Sequence, residues 1–285
     1  MTKHFKKLFF YSFLIVSQCI LSQESTKDWE TLFNGFDLKN WDTYLGPQFI
    51  EGVPMEKIDE QIPYGLNNDP IGVFTIADVD GEKVLRISGE CWGGISTKRE
   101  FENYHLQLQF KWGDKKWYPR EKLSDKRDSG LLYHAVGDHA DGDKFWLRSQ
   151  EFQIQEGDCG DYWGVAGALL DIRATKTGND DYRYDEKGNL LTFSSESENG
   201  RHCIKYPDGE NQTGKWNTVD LYCFGGKSVH IINGKVVMVL ENSRQLVDGK
   251  ESPLTKGKIQ LQSESAEIFY KDIKIRSIKS LPRFE

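Results

Sequence analysis

Residues 149–163 read Ser-Gln-Glu-Phe-Gln-Ile-Gln-Glu-Gly-Asp-Cys-Gly-Asp-Tyr-Trp and gather more chemically capable side chains than any other stretch of the chain. The first half has the pattern of a strand, in which successive side chains point to opposite faces. Phe152 and Ile154 then share one face, while Glu151, Gln153 and Gln155 share the other. Three hydrogen-bonding side chains in a row make a poor core. They make a good floor for a polyhydroxylated ligand, because each amide both donates and accepts. Glu156, Asp158 and Asp161 crowd the glycine-broken loop that follows, with Tyr162 and Trp163 beside them. The segment predicts a site that handles carbohydrate.

The elements that must position this strand are themselves strands. Alternation with a period of two recurs from about residue 73 to the end, and long helical periodicity is missing. Asp80-Gly81, Gly225-Gly226 and Asn233-Gly234 each separate two apolar-alternating runs and predict tight hairpins. A further hairpin is expected at Asp185–Asn189. Many short strands joined by such turns predict an antiparallel sandwich or barrel. Gln107 and Gln109, Gln153 and Gln155, and Gln260 and Gln262 lie opposite apolar positions, so one outer face looks polar but uncharged. An ordinary solvated sheet face is the plainer reading of the same pattern. Gly46 to Pro70, Gly113 to Asp128 and Lys176 to Lys215 read as long loops.

Residues 1–22 have the layout of an export signal: Lys3, Lys6 and Lys7, then a mainly apolar run too short to span a membrane, then small residues near Ser22. Gln18 stands where a lipoprotein signal wants a small residue before Cys19, which favours a plain export signal over lipid attachment. The expectation is a periplasmic or cell-surface protein whose residues 23–285 form one domain. Removing three lysines and no acid takes the net charge from −7 to −10. Phosphate binding needs clustered Lys and Arg, so the acidic balance argues against nucleic acid as a partner. No later segment is apolar enough to cross a membrane as a helix. Cys91, Cys159, Cys203 and Cys223 remain, with pairing left open and Cys223 read as a buried thiol. They lack zinc-ligand spacing.

Several motifs then fall in one order: Leu32-Phe33-Asn34-Gly35 with Leu38 and Trp41; Ile95-Ser96-Thr97-Lys98; Asp128-Ser129-Gly130-Leu131-Leu132-Tyr133-His134; Glu151-Phe152-Gln153-Ile154-Gln155; and Gly257-Lys258-Ile259-Gln260-Leu261-Gln262 before Phe269 to Ile275. Together they resemble the DUF1080 family, also described as 3-keto-disaccharide hydrolases or 3-keto-glucoside 1,2-lyase/3-keto-2-hydroxyglucal hydratases. The resemblance runs from about residue 29 to 278. It implies an all-β, concanavalin A-like (jelly-roll) antiparallel β-sandwich with long loops. The chain departs from the family pattern at Glu156, where Asp is usual, and at Asp128, where Asn is common.

The resemblance further implies a substrate with a ketone at sugar C3, which acidifies the C2 proton so that the aglycone leaves C1 by elimination. Such chemistry needs a base at C2, a donor or cation for the enolate oxygen, and an acid for the leaving group. On that reading Glu151 is the base, and His134 a proton-transfer group or metal ligand. Gln153, Gln155 and Asp128 would bind substrate, Lys111, Arg127 and Lys98 would polarise the keto oxygen, and Trp92, Trp146 and Trp163 would offer platforms for sugar rings. Asp158, Asp161 and the 138–143 run could hold a divalent cation through oxygen ligands, though not with EF-hand spacing. Two other readings share these residues. Glu151-x-Gln153-x-x-Glu156 echoes the Glu-x-Asp-x-x-Glu motif of sandwich-fold β-glucanases, which are retaining hydrolases. A non-catalytic carbohydrate-binding sandwich is the third.

Overall fold

The computed structural model describes residues 28–50, 52–139, 144–178 and 181–284. Two antiparallel sheets face each other. The larger runs in the order Tyr182–Tyr184, Ala168–Lys176, Lys235–Val247, Lys227–Ile232, Asn217–Phe224, Tyr104–Lys116, Ala266–Ser277, Glu82–Ile87 and Phe74–Val79. The smaller runs His202–Cys203, Tyr162–Val165, Arg148–Gln155, Asp128–Val136, Lys256–Ser263, Gly93–Thr97, Trp41–Leu45 and Gly65–Leu66. The expected β-sandwich is the fold observed.

Alternation decides which faces meet. Leu106, Leu108 and Phe110 of the larger sheet pack against Leu131, Tyr133, Phe152, Ile154, Ile259 and Leu261 of the smaller one, all fully buried. Each such side chain contributes about 1.5–3 kcal/mol relative to exposure. Slipping Arg148–Gln155 by one residue would put Glu151 and Gln153 into that core, so burial fixes the register that defines the site. Two of the predicted hairpins have left-handed geometry at both turn residues: φ is 55° and 82° at Asp80 and Gly81, and 49° and 80° at Asn233 and Gly234.

Three expectations are corrected. Asp185–Asn189 makes a tight turn, with the Gly188 amide donating to the Asp185 carbonyl, but not a hairpin. Tyr182–Tyr184 and Asn189–Phe193 instead both pair with Ala168–Lys176. The turn chemistry was local, whereas burial of Tyr184 and Phe193 against Ile172 and Leu240 chose the partner strand. Gln107 and Gln109 lie in the larger sheet, Gln107 donating to Asp220, so only the glutamines of Arg148–Gln155 and Lys256–Ser263 share a sheet. Finally, the Gly46–Pro70 segment carries Ile58 and Phe49 onto a third apolar cluster with Trp92, Leu132, Phe145 and Trp146. Leu132 points away from the main core, so this cluster covers part of the outer face of the smaller sheet and leaves the rest as a cleft. All four cysteines in the described residues are buried free thiols.

Candidate functional site

Cross-strand register builds the cleft in three rows. Glu151 lies between Leu132 and Trp163, Gln153 lies opposite Gly130, and Gln155 lies opposite Asp128. Asp128 in turn bridges to Glu264 at the end of Lys256–Ser263. The cleft encloses about 150 Å³ and is lined by these side chains together with Arg120, Trp146, Val165, Arg201 and Gln262. Two larger hollows, of about 300 and 330 Å³, sit on the opposite sheet beside Phe36 and Arg244. They are lined mainly by turn residues and surface ion pairs, whereas the smaller cleft is where buried ionisable groups converge.

Gly130 makes that convergence sterically allowed. A Cβ there would stand 2.2 Å from Gln262 Oε1 and 2.3 Å from Glu151 Oε1. At the far end Arg120 joins Asp128 and, at 2.8 Å, Glu264, with its guanidinium 5.8 Å from the centre of the Trp92 ring. Gln155 donates to the same Asp128 oxygen as Arg120. Asp128 Oδ1, Gln153 Oε1 and Gln262 Oε1 are buried without a hydrogen-bond partner among the described residues. Leaving such groups unpaired costs about 1–3 kcal/mol each, so the floor is built to receive donors such as hydroxyls. The Trp163 indole, which lines the cleft with Trp146, stacks on His202 at 4.3 Å and carries the Arg201 guanidinium at 5.2 Å.

The structure brings together Glu151, Gln153, Gln155, Asp128, Trp146 and Trp163 from the residues expected to form the site. It does not bring the others. His134 is buried between the rings of Tyr104 and Tyr133, and burial pushes its pKa down to about 4. Register shifts on both sides of Asp128–Val136 break the alternation after Tyr133, and with φ at 51° His134 turns into the core. Lys111 pairs with Asp80 at 2.8 Å on the larger sheet. Arg127 braces Glu156 at 3.1 Å, which keeps both out of the cleft. Trp92 supports rather than lines the wall, stacking on Trp146 at 5.7 Å and donating to Ser265 Oγ.

The cation candidates are tied up elsewhere. Asp158 pairs with Lys126, and Asp161 accepts from the Lys205 amide and from His202 Nε2, both at 2.9 Å. Residues 140–143 of the acidic run lie outside the described residues. Among the described residues no group of three His, Cys, Asp or Glu is placed to hold a metal ion. Arg120, Arg201 and Glu264 were not anticipated. Glu264 continues the period-two series Gln260, Gln262 and could have been read from it, whereas the arginines come from loops without a pattern.

The sequence matches the model of the 3-keto-alpha-glucoside-1,2-lyase-like domain over residues 28–276. The chain belongs to this family. No curated protein matches it. A Parabacteroides distasonis structure provisionally described as a glycosyl hydrolase is 20% identical, with 88% of this chain and 100% of that chain covered and a TM-score of 0.46. A second from the same organism, with the same description, is 17% identical, covers 88% and 94%, and has a TM-score of 0.48. The carbohydrate-binding module CBM66 from Bacillus subtilis is 11% identical, covers 72% and 92%, and has a TM-score of 0.40.

In this keto-glucoside lyase-like chain, Asp128 is a cleft acid displaced from ordinary behaviour. Burial pushes its carboxyl up to about 6, against the downward pull of Arg120 and of the Gln155 hydrogen bond. A folded-state pKa raised above the unfolded value gives stability that is full below pH about 4 and lost as pH rises through about 6. The stability difference between wild type and Asp128→Asn should therefore shift toward the variant across that window. Thermal melts of both proteins from pH 4 to 7 check this, and a difference independent of pH would count against it.

Proposed function

We propose that this protein cleaves 3-keto-glycosides by elimination across C1–C2 of the keto sugar, followed by hydration of the resulting enone. The reading is carried by one juxtaposition: carboxylates and guanidiniums facing each other over a glutamine floor, between two tryptophans, in a chain of the keto-glucoside lyase-like family. Glu151 removes the C2 proton. The electron pair moves onto the C3 oxygen, where the Arg201 guanidinium holds the enolate. The enolate then expels the C1 oxygen of the aglycone, and Asp128, whose raised pKa lets it carry a proton near neutrality, protonates it. Addition of water at C1 of the enone and return of a proton to C2 complete a net hydrolysis.

The β-glucanase-like alternative draws less support. Retaining hydrolases hold two carboxyls about 5–5.5 Å apart. Glu156, the second acid of that motif, instead bonds Arg127 and Thr213 outside the cleft. Export to the periplasm or cell surface remains part of this proposal, because residues 1–22 lie outside the described residues.

The test incubates purified mature protein with a 3-keto-glucoside and with its unoxidised parent. Turnover of the keto sugar alone is expected. Equal or exclusive action on the parent would overturn the lyase reading in favour of a glycosidase, and sugar binding without turnover of either would favour a binding module.

A further inference from the structure

Beyond the cleft wall, a series of side-chain contacts runs outward across the smaller sheet. Trp163 pairs in register with Glu151 on one side and with His202 on the other. The His202 ring lies nearly parallel to the indole, at 4.3 Å and 22°. Its Nε2 donates to Asp161 Oδ2 at 2.9 Å, and the Asp161 carboxylate is itself buried. Asp161 is held in turn: Oδ1 accepts the Lys205 amide at 2.9 Å, and its backbone carbonyl accepts the Gln153 amide at 3.0 Å. On the indole rests the Arg201 guanidinium, 5.2 Å from the ring centre, and Arg201 lines the cleft.

A long arginine loses much rotamer freedom when fixed. A flat ring fixes it at low entropic cost, provided the ring itself cannot swing. His202 sits on the short strand His202–Cys203, which pairs with Tyr162–Val165, and the Asp161 bond helps to fix its ring against the indole.

We propose that His202 is a positioning residue, anchored by Asp161, that holds Trp163 as the platform on which Arg201 is aimed into the cleft. This gives Asp161 a task the sequence did not suggest, as the hub of a buttress rather than a cation ligand. The proposal rests on the reading of Arg201 as the group that holds the enolate oxygen.

The test is a double-mutant cycle on the full mature chain, with kcat and KM for a 3-keto-glucoside as readouts and melting temperature as a check of folding. His202→Ala is expected to lower kcat about fivefold to tenfold, in keeping with the worth of one aromatic stack, with KM within about twofold. His202→Phe, which keeps the stack without the Asp161 bond, is expected to recover at least about half of that loss. In an Arg201→Ala background, His202→Ala is expected to have no further effect on kcat, since its whole influence passes through Arg201. Additive effects of the two substitutions would overturn the proposal, as would a Phe variant no better than Ala or an unchanged kcat in His202→Ala. If wild type fails to turn over the keto sugar, the functional reading falls. Quenching of tryptophan fluorescence by the unoxidised parent sugar, compared with Trp163→Phe, then carries the same cycle without turnover. Coupling of His202 to Arg201 in that signal supports the positioning claim, and independence overturns it.

Discussion

Glu151→Gln is expected to lower kcat on a 3-keto-glucoside by about 10²–10⁴-fold, the usual worth of a positioned general base. The substitution keeps the side chain's size and one carbonyl oxygen, so the packing between Leu132 and Trp163 and the approach to Gly130 survive. The melting temperature and sugar affinity should therefore stay near wild type while the chemical step fails. A folded Glu151→Gln protein with full activity would remove Glu151 from the role of base. Glu156→Gln is the matching control. Glu156 points out of the cleft toward Arg127 and Thr213, so its loss should cost some stability and little turnover.

The second large effect is expected at a residue with no functional group. In Gly130→Ala the new methyl would meet Gln262 Oε1 at 2.2 Å and Glu151 Oε1 at 2.3 Å. No carbon and oxygen approach so closely without bonding, so both side chains must move. Displacing a catalytic group by about 1 Å can cost about 10²-fold in rate, and overpacking of this kind costs about 1–3 kcal/mol of stability. We expect the rate to fall by about that factor and the melting temperature to drop by several degrees. Gly226→Ala provides the comparison, because a Cβ there would lie 3.5 Å from its nearest neighbour, in ordinary contact. Equal activity in Gly130→Ala and wild type would mean that the convergence of Glu151 and Gln262 is irrelevant to turnover.

How much of this was legible in the sequence depends on how far each feature reaches along the chain. The row Glu151, Gln153, Gln155 was legible because a strand's period of two is local, and Phe152 and Ile154 pinned the opposite face to the core. The same logic places Asp128 and Gly130 opposite Gln155 and Gln153 once the two strands pair. His134 misled because bulges are set by tertiary register and leave no periodic trace. Its left-handed backbone turns it from the face that alternation assigns. Arg120 and Arg201 were hidden for a different reason. Each sits in a loop whose neighbours are also charged, and only the folded chain shows that one reaches Asp128 and Glu264 while the other lies on Trp163. Lys111 and Arg127 carried the same charge in equally plausible places, and the fold spends them on Asp80 and Glu156.

The central claim is that cleavage proceeds through loss of the C2 proton. The most direct test supplies a 3-keto-glucoside deuterated at C2 and follows the label, corrected for exchange in an enzyme-free blank. The account predicts that bond cleavage in a single turnover shows a primary isotope effect in wild type, that the enone carries no C2 deuterium, and that Glu151→Gln releases no label above the blank. Cutting of the glycosidic bond at the same single-turnover rate whether C2 carries protium or deuterium would contradict it.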